Sequence, residues 1–380
     1  MLRFGESVQE FLKREGMSRR DFLKFCSVMA GALALPHKEA FAIARALGSP
    51  KRLPVVWLEL QDCAGCSEAF LRSSSPTAAE LVLEVLSVDY HETIMAPSGF
   101  QAEKSKEDAI AAGGYVLVVE GSISNAGVGE YCCIAGKSSR YILEEAAKNA
   151  LAIIAVGNCA TFGGIPAANP NPTGAVGVWD IIKDKPVVNI PGCPMNPANL
   201  TATVVHFLTY GSLPALDNLN RPLFAFGRRI HDNCERRGHF DAGEFVMEWG
   251  DDGHRAGWCL YKMGCKGPTT YHNCPTIRYN DGVNWPIGAG HPCIGCSEPG
   301  FWNWEVYKPV TLNAVTPPTT YPSVDKPERE ISPASIAIRG TAVGAIAGAA
   351  AAFAYSSLTQ RSNNTKPVVE EIESEESAEH

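Results

Sequence analysis

VVWLELQDCAGC, residues 55–66, decides the fold. Six largely apolar residues run into a polar turn that carries Cys63 and Cys66, which reads as a buried strand delivering paired thiols at its carboxyl end. Three further short runs have the same character: YVLVVEG (115–121), LAIIAVG (151–157) and VVNIPG (187–192). Helix-compatible stretches separate them, so the spacing predicts an α/β domain over 52–215 with a parallel sheet. Such sheets place ligands at the carboxyl ends of their strands. The third run is followed by Cys159 and the fourth by Cys193, so four thiols are expected along one sheet edge. Four thiolates close a tetrahedral zinc site or hold one four-iron, four-sulfur cluster. The second run brings Glu120 and Gly121 to that edge, without cysteine.

Outward from the sheet, residues 216–315 change in texture. Gly, Pro, Trp and Asn are frequent and periodic stretches are few, as expected where ligation replaces a large apolar core. His231-x-x-Cys234 with Cys259 and Cys265 makes a second set of four, and Cys274, Cys293 and Cys296 make a set of three. Three thiolates suit a three-iron cluster better than a closed zinc site. Several clusters in one chain imply electron conduction. Cys26, Cys132 and Cys133 fall outside these sets; the last two read as core thiols.

The whole chain has 380 residues, 45% of them hydrophobic and 19% charged, which excludes disorder and fibrous repeats and suggests two or three structural units. A net charge of −8 argues against nucleic-acid binding. Thirteen cysteines, an odd number, exclude a fully paired disulfide framework. No G-x-G-x-x-G follows a strand, and Gly136-Lys137-Ser138 has Tyr131 where a P-loop needs glycine. No G-x-S-x-G nucleophile elbow is present.

The two ends read as addresses. Residues 1–46 contain SRRDFLK (18–24) and an apolar stretch, Phe25 to Leu35, too short to span a bilayer: the shape of a twin-arginine signal peptide, with cleavage after Ala34, Ala42 or Ala46. After a proline-rich linker (316–333), residues 334–358 are expected to form a transmembrane anchor. Its charge-free core, Gly340 to Leu358, places Gly340, Gly344 and Gly348 on one helix face. An acidic tail, 359–380, follows.

Five stretches carry a resemblance: DCAGCSE (62–68), PGCP (191–194), RIHDNCERRGHFDAGEF (229–245), YKMGCKGPTTYHNC (261–274) and GHPCIGCSEPGFW (290–302). Together they closely resemble the small subunit of membrane-bound, periplasm-facing nickel-iron uptake hydrogenases, over nearly the whole chain. The resemblance implies a flavodoxin-like first domain and a sparsely regular iron-sulfur second domain. It further implies a proximal four-iron cluster on Cys63, Cys66, Cys159 and Cys193, and a distal four-iron cluster on His231, Cys234, Cys259 and Cys265. A medial three-iron cluster would be held by Cys274, Cys293 and Cys296, with Pro286 where a fourth cysteine would complete it. The nickel-iron centre would lie on a large-subunit partner, because the paired R-x-C-G-x-C and D-P-C-x-x-C motifs of that subunit are lacking. No catalytic residue is therefore expected in this chain. Electrons from dihydrogen would pass to a membrane cytochrome or quinone-linked acceptor. Two extra cysteines of oxygen-tolerant members, at Ala64 or Gly65 and at Gly164 by position, are missing, which implies oxygen sensitivity. The competing readings are an iron-sulfur subunit of another oxidoreductase complex and a zinc-stabilised secreted binding module.

Overall fold

A computed structural model describes residues 19–312 apart from positions 34, 37–38, 41–42, 45–51, 74–76 and 79–85. All of these fall in one compact unit. The expected linker, anchor and acidic tail lie outside the described residues. Among the described residues, no helix is long and apolar enough to cross a membrane.

Five parallel strands make the central sheet: β1 (Leu53–Glu59), β2 (Leu86–His91), β3 (Tyr115–Glu120), β4 (Ala150–Val156) and β5 (Val187–Ile190). Their order, β2-β1-β3-β4-β5, is that of flavodoxin-like folds. Four of them are the four runs identified in the sequence. The fifth, LSVDYH, escaped because it is an edge strand whose middle residues, Ser87, Val88 and Asp89, are only half-buried, so it lacks a continuous apolar run.

Apolar clusters cover both faces of the sheet. One joins Val55, Trp57, Val116, Val118, Ile154 and Ile190 to Leu200 and Val204; the other joins Val56, Leu58, Leu117, Val119 and Ile153 to Ile142, Leu143 and Ala146. A helix at Arg19–Ala32 (α1) lies within the stretch expected to be a leader. Its Cys26, Met29 and Ala30 pack against Ala202 and Val205 of the helix Pro197–Tyr210, which Asn196 caps by accepting from the Ala198 N–H.

Among the described residues beyond 222 the helices are short turns, such as Ile230–Asn233, Arg237–Ala242 and Cys274–Ile277, with isolated bridges between them. Polar side chains lock this region to the sheet domain. Asn199 and Asn273 exchange amide hydrogen bonds at 3.1 and 2.9 Å, and Asn158 Nδ2 donates to the Cys296 and Glu298 carbonyls at 2.8 and 3.2 Å. Buried Arg221 bridges Asp217 and Glu298 at 2.8 and 3.0 Å.

Candidate electron-transfer centre

The first set of thiols forms where three strands end. After β1 the backbone turns through Ala64, in the left-handed region at φ 55°, into a short helix, α2 (Gly65–Leu71). Its first N–H groups have no partner within the helix, and a carboxylate from β3 supplies one. Glu120 Oε1 accepts from the Cys66 N–H at 2.9 Å; its Oε2 accepts from the Ser67 N–H at 3.0 Å, Ser67 Oγ at 2.6 Å and Trp57 Nε1 at 3.3 Å. Glu120 thus fixes the Cys63–Cys66 turn. Burial, eased by these bonds, raises its own pKa to about 7.

Cys159 sits in the helix Gly157–Phe162 at the end of β4, and Cys193 follows β5. Burial is the main cause of the raised pKa of Cys66, Cys159 and Cys193; their mutual repulsion, with Cys63, adds to it, and Cys159 reaches about 12. The four sulfurs therefore share one neighbourhood. Space around them is reserved by glycine: a Cβ on Gly157 (φ 79°) would lie 2.4 Å from Cys66 Sγ, and one on Gly164 (φ 58°) 2.6 Å from Cys159 Sγ.

His231, Cys234, Cys259 and Cys265 line a second, small cavity together with Arg236 and Arg237. Burial, then the charge of Arg237, lowers the His231 pKa to about 4, so the imidazole is neutral, the form that ligates metals. Its Nε2 is buried without a hydrogen-bond partner. Backbone N–H groups of Arg236 and Gly267 point at Cys234 and Cys265 Sγ, each at 3.4 Å. Cys234 and Cys259 are pushed up to about 12 by burial first, and each also feels Cys265.

Cys274, Cys293 and Cys296 line a third cavity, of about 620 Å³, with Trp285, Pro286 and Tyr279. The Gly295 N–H lies 3.3 Å from Cys293 Sγ. Pro286 faces the same space as the three thiols, so the place the resemblance gives it is compatible with a missing fourth ligand. His272, to which the sequence pattern gives no role, also lines this cavity; its Nδ1 is 3.0 Å from Cys274 Sγ. The H-x-C spacing was the available signal.

The three sets form a succession. Cys296 is raised to about 11 by burial, offset by a backbone hydrogen bond from Cys193 and increased by repulsion from its thiol, which joins the first set to the third. Cys293 is raised well above the usual thiol range by burial and then by Cys265, which joins the third set to the second. The donor chemistry fits iron-sulfur ligation. Buried thiols with such high pKa values stay protonated unless a metal displaces the proton, and inorganic sulfide needs the room that glycine leaves. Of the remaining cysteines, Cys26 is sealed between α1 and the helix Pro197–Tyr210, Cys132 is half-buried and Cys133 is exposed. The core reading therefore fails for Cys133, which lies solvent-exposed in a hairpin of two two-residue strands.

Two family models divide the chain at the same boundary. Residues 63–207 match the NADH ubiquinone oxidoreductase 20 Kd subunit, and residues 226–308 match the C-terminal part of the NiFe/NiFeSe hydrogenase small subunit. The chain is 47% identical over 338 residues to the hydrogenase-2 small chain of Escherichia coli, covering 88% of this chain and 91% of that one. This chain belongs to the NiFe hydrogenase small subunits. It is also 48% identical over 297 residues to the quinone-reactive Ni/Fe-hydrogenase small chain of Wolinella succinogenes, covering 77% of this chain and 83% of that one. Among solved structures, the [NiFeSe]-hydrogenase of Desulfomicrobium baculatum superposes with a TM-score of 0.64 at 34% identity, over 68% of this chain and all of that one. The first domain alone is shared with a quinone oxidoreductase subunit, and it is the cysteine-rich second region that separates this family from that one. A hydrogenase small subunit works as part of an oxidoreductase, with a large-subunit partner.

Proposed function

We propose that the chain conducts electrons from dihydrogen oxidation at a partner's nickel-iron centre through two four-iron clusters and one three-iron cluster. Cys63, Cys66, Cys159 and Cys193 would hold the proximal cluster. Cys274, Cys293 and Cys296 would hold the medial one, and His231, Cys234, Cys259 and Cys265 the distal one. What supports this reading is the adjacency of the sets: Cys193 lines the same cavity as Cys274, Cys293 and Cys296, and Cys265 lies near enough to Cys293 to raise its pKa.

When bound, the clusters supply one-electron storage and hand-over. This chain's residues do the rest. Burial keeps water from Cys66, Cys234, Cys259, Cys265, Cys274 and Cys293, and the N–H groups of Met195, Arg236, Gly267 and Gly295, at 3.3–3.4 Å from Cys66, Cys234, Cys265 and Cys293 respectively, stabilise negative charge on sulfur and so tune each potential. Neutral His231 in place of a fourth thiolate makes the distal set less negative by one charge, which favours its reduction at the exit.

Export and anchoring belong to the same proposal. Residues 1–46 act as a twin-arginine leader, and residues 334–358 anchor the complex, whose acceptor is a membrane cytochrome or quinone-linked protein; the name of the Wolinella relative, quinone-reactive, supports the latter. Glycine at positions 65 and 164 supports an ordinary, oxygen-sensitive proximal cluster.

The test is the iron and acid-labile sulfide content of the anaerobically purified complex. About eleven irons outside the partner's own centre are expected from two four-iron clusters and one three-iron cluster. Zinc without sulfide would replace this reading with that of a zinc-stabilised binding module.

A further inference from the structure

His272 stands two residues before Cys274 and is 2% exposed. Its ring is clamped. Phe226 meets it edge-on at 5.0 Å and 87°, and Tyr279 stacks on it at 6.3 Å and 23°. In that orientation Nδ1 lies 3.0 Å from Cys274 Sγ, while Nε2 is buried without a partner.

We propose that His272 is a positioning residue that donates its Nδ1–H to the Cys274 sulfur and thereby raises the reduction potential of the medial centre. The inference rests on the reading of Cys274, Cys293 and Cys296 as the medial ligands. A metal-bound cysteine is a thiolate and has no proton to give, so the hydrogen in this contact belongs to Nδ1. The ring then carries its proton on Nδ1 and a bare lone pair on Nε2, which agrees with the absence of any acceptor at Nε2. A hydrogen bond to a ligand sulfur withdraws charge from it and favours the more negative, reduced state.

A direct ligand role for His272 fits less well. Nitrogen and sulfur on one tetrahedral metal sit about 3.5 Å apart, from bond lengths of about 2.0 and 2.3 Å, and ligands on different irons lie further apart still. The observed 3.0 Å is a hydrogen-bond contact.

The experiment uses the anaerobically purified complex with its large subunit, and follows the oxidised three-iron signal by electron paramagnetic resonance during a redox titration. His272→Phe keeps a ring in the clamp and removes the donor. It should shift the medial reduction equilibrium about tenfold toward the oxidised form, 59 mV for a one-electron couple, with the other two centres unmoved. His272→Asn places an amide nitrogen one bond from Cγ, as Nδ1 is, and should restore the wild-type equilibrium to within about twofold. An unshifted His272→Phe titration at full iron content, or an equal shift in His272→Asn, overturns the proposal. If His272→Phe fails to assemble, pulsed measurement of ¹⁵N-histidine coupling in the wild-type protein decides. Weak coupling at the medial signal supports the hydrogen bond, and coupling of the strength of a direct ligand overturns it. A wild-type complex with full hydrogenase activity and no three-iron signal would instead overturn the medial ligand assignment, and this inference with it.

Discussion

The sheet region and the region beyond residue 222 solve the same problem, bringing several cysteines together, by opposite means. In the first, two apolar clusters cover a five-stranded sheet, and the thiols decorate its edge without contributing much to the core. In the second, the buried cluster is Ile230, Cys234, Val246, Leu260, Cys265, Cys274, Trp285, Ile287 and Cys293, so four of its nine members are thiols of the site itself. The sheet domain has a core independent of its cofactor. The second region has a core in which four of nine members are cysteines of the proposed ligand sets, so on that reading its folding depends on cluster assembly.

The strongest way to break this contrast is to remove the iron. Chelation under reducing conditions should raise amide exchange across 227–312 by about a hundredfold or more, while β1, β3 and β4 keep their protection. Equal loss in both regions, read by hydrogen exchange and mass spectrometry, would show that the sheet also depends on its cluster.

Within the sheet region, the cluster's space rather than the fold is the fragile element. Gly157→Ala puts a methyl 2.4 Å from Cys66 Sγ at a backbone φ of 79°. The expected result is a folded protein that lacks about four of the roughly eleven irons proposed above, checked by iron analysis beside circular dichroism. Glu120→Ala acts one step back from the thiols. It strands the Cys66 and Ser67 N–H groups and Trp57 Nε1 in a buried place, at about 1–3 kcal/mol for each unsatisfied donor. A total of at least ~3 kcal/mol should appear in the denaturation midpoint, and an unchanged midpoint would mean that water replaces the carboxylate.

In the second region a ligand swap leaves the packing in place and changes the charge. His231→Cys replaces a neutral imidazole by a thiolate, so the distal potential should fall while the other two centres hold, as read by a redox titration. A distal signal that does not move would take His231 out of the ligand set.

The sequence revealed the two halves to different degrees, for the same physical reason. Four strands were legible because buried parallel strands are apolar on both faces; β2 was not, because Ser87 and Asp89 sit on the half-exposed middle of an edge strand. All four thiols of the first set were legible from their place after strands. Spacing sorts the other seven side chains into a four and a three, and each group lines one cavity of the fold; which set neighbours which appears only in three dimensions, through Cys193 beside Cys296 and Cys265 beside Cys293. Glu120 was visible at a strand end, but its bond to Cys66 spans 54 positions, which no local pattern records. His272 leaves only an H-x-C spacing in the sequence, a weak signal because a single histidine is usually structural; the clamp of Phe226 and Tyr279 that aims it at Cys274 exists only in the folded chain.

The smallest expected effect isolates the sheet region from the metals. Glu92, just past β2, has its pKa raised to about 7, first by burial and then by the charge of Glu59, against the hydrogen bond from Tyr90 Oη at 3.1 Å and the charge of Lys106. Its folded pKa lies above that of the unfolded chain, so the folded state binds the proton more tightly. The stabilisation is complete below about pH 4.5 and is lost as pH rises through about 7. With partial solvent screening, this amounts to about 1 kcal/mol between those limits. In iron-free protein, where the second region has already lost its ligated core, the sheet's denaturation midpoint should still fall from about pH 4.5 to about pH 8. Glu92→Gln should flatten that slope. A slope that survives the substitution would place the titrating group elsewhere on the sheet edge, with Glu120, whose pKa is raised to the same value, as the next carboxylate to replace.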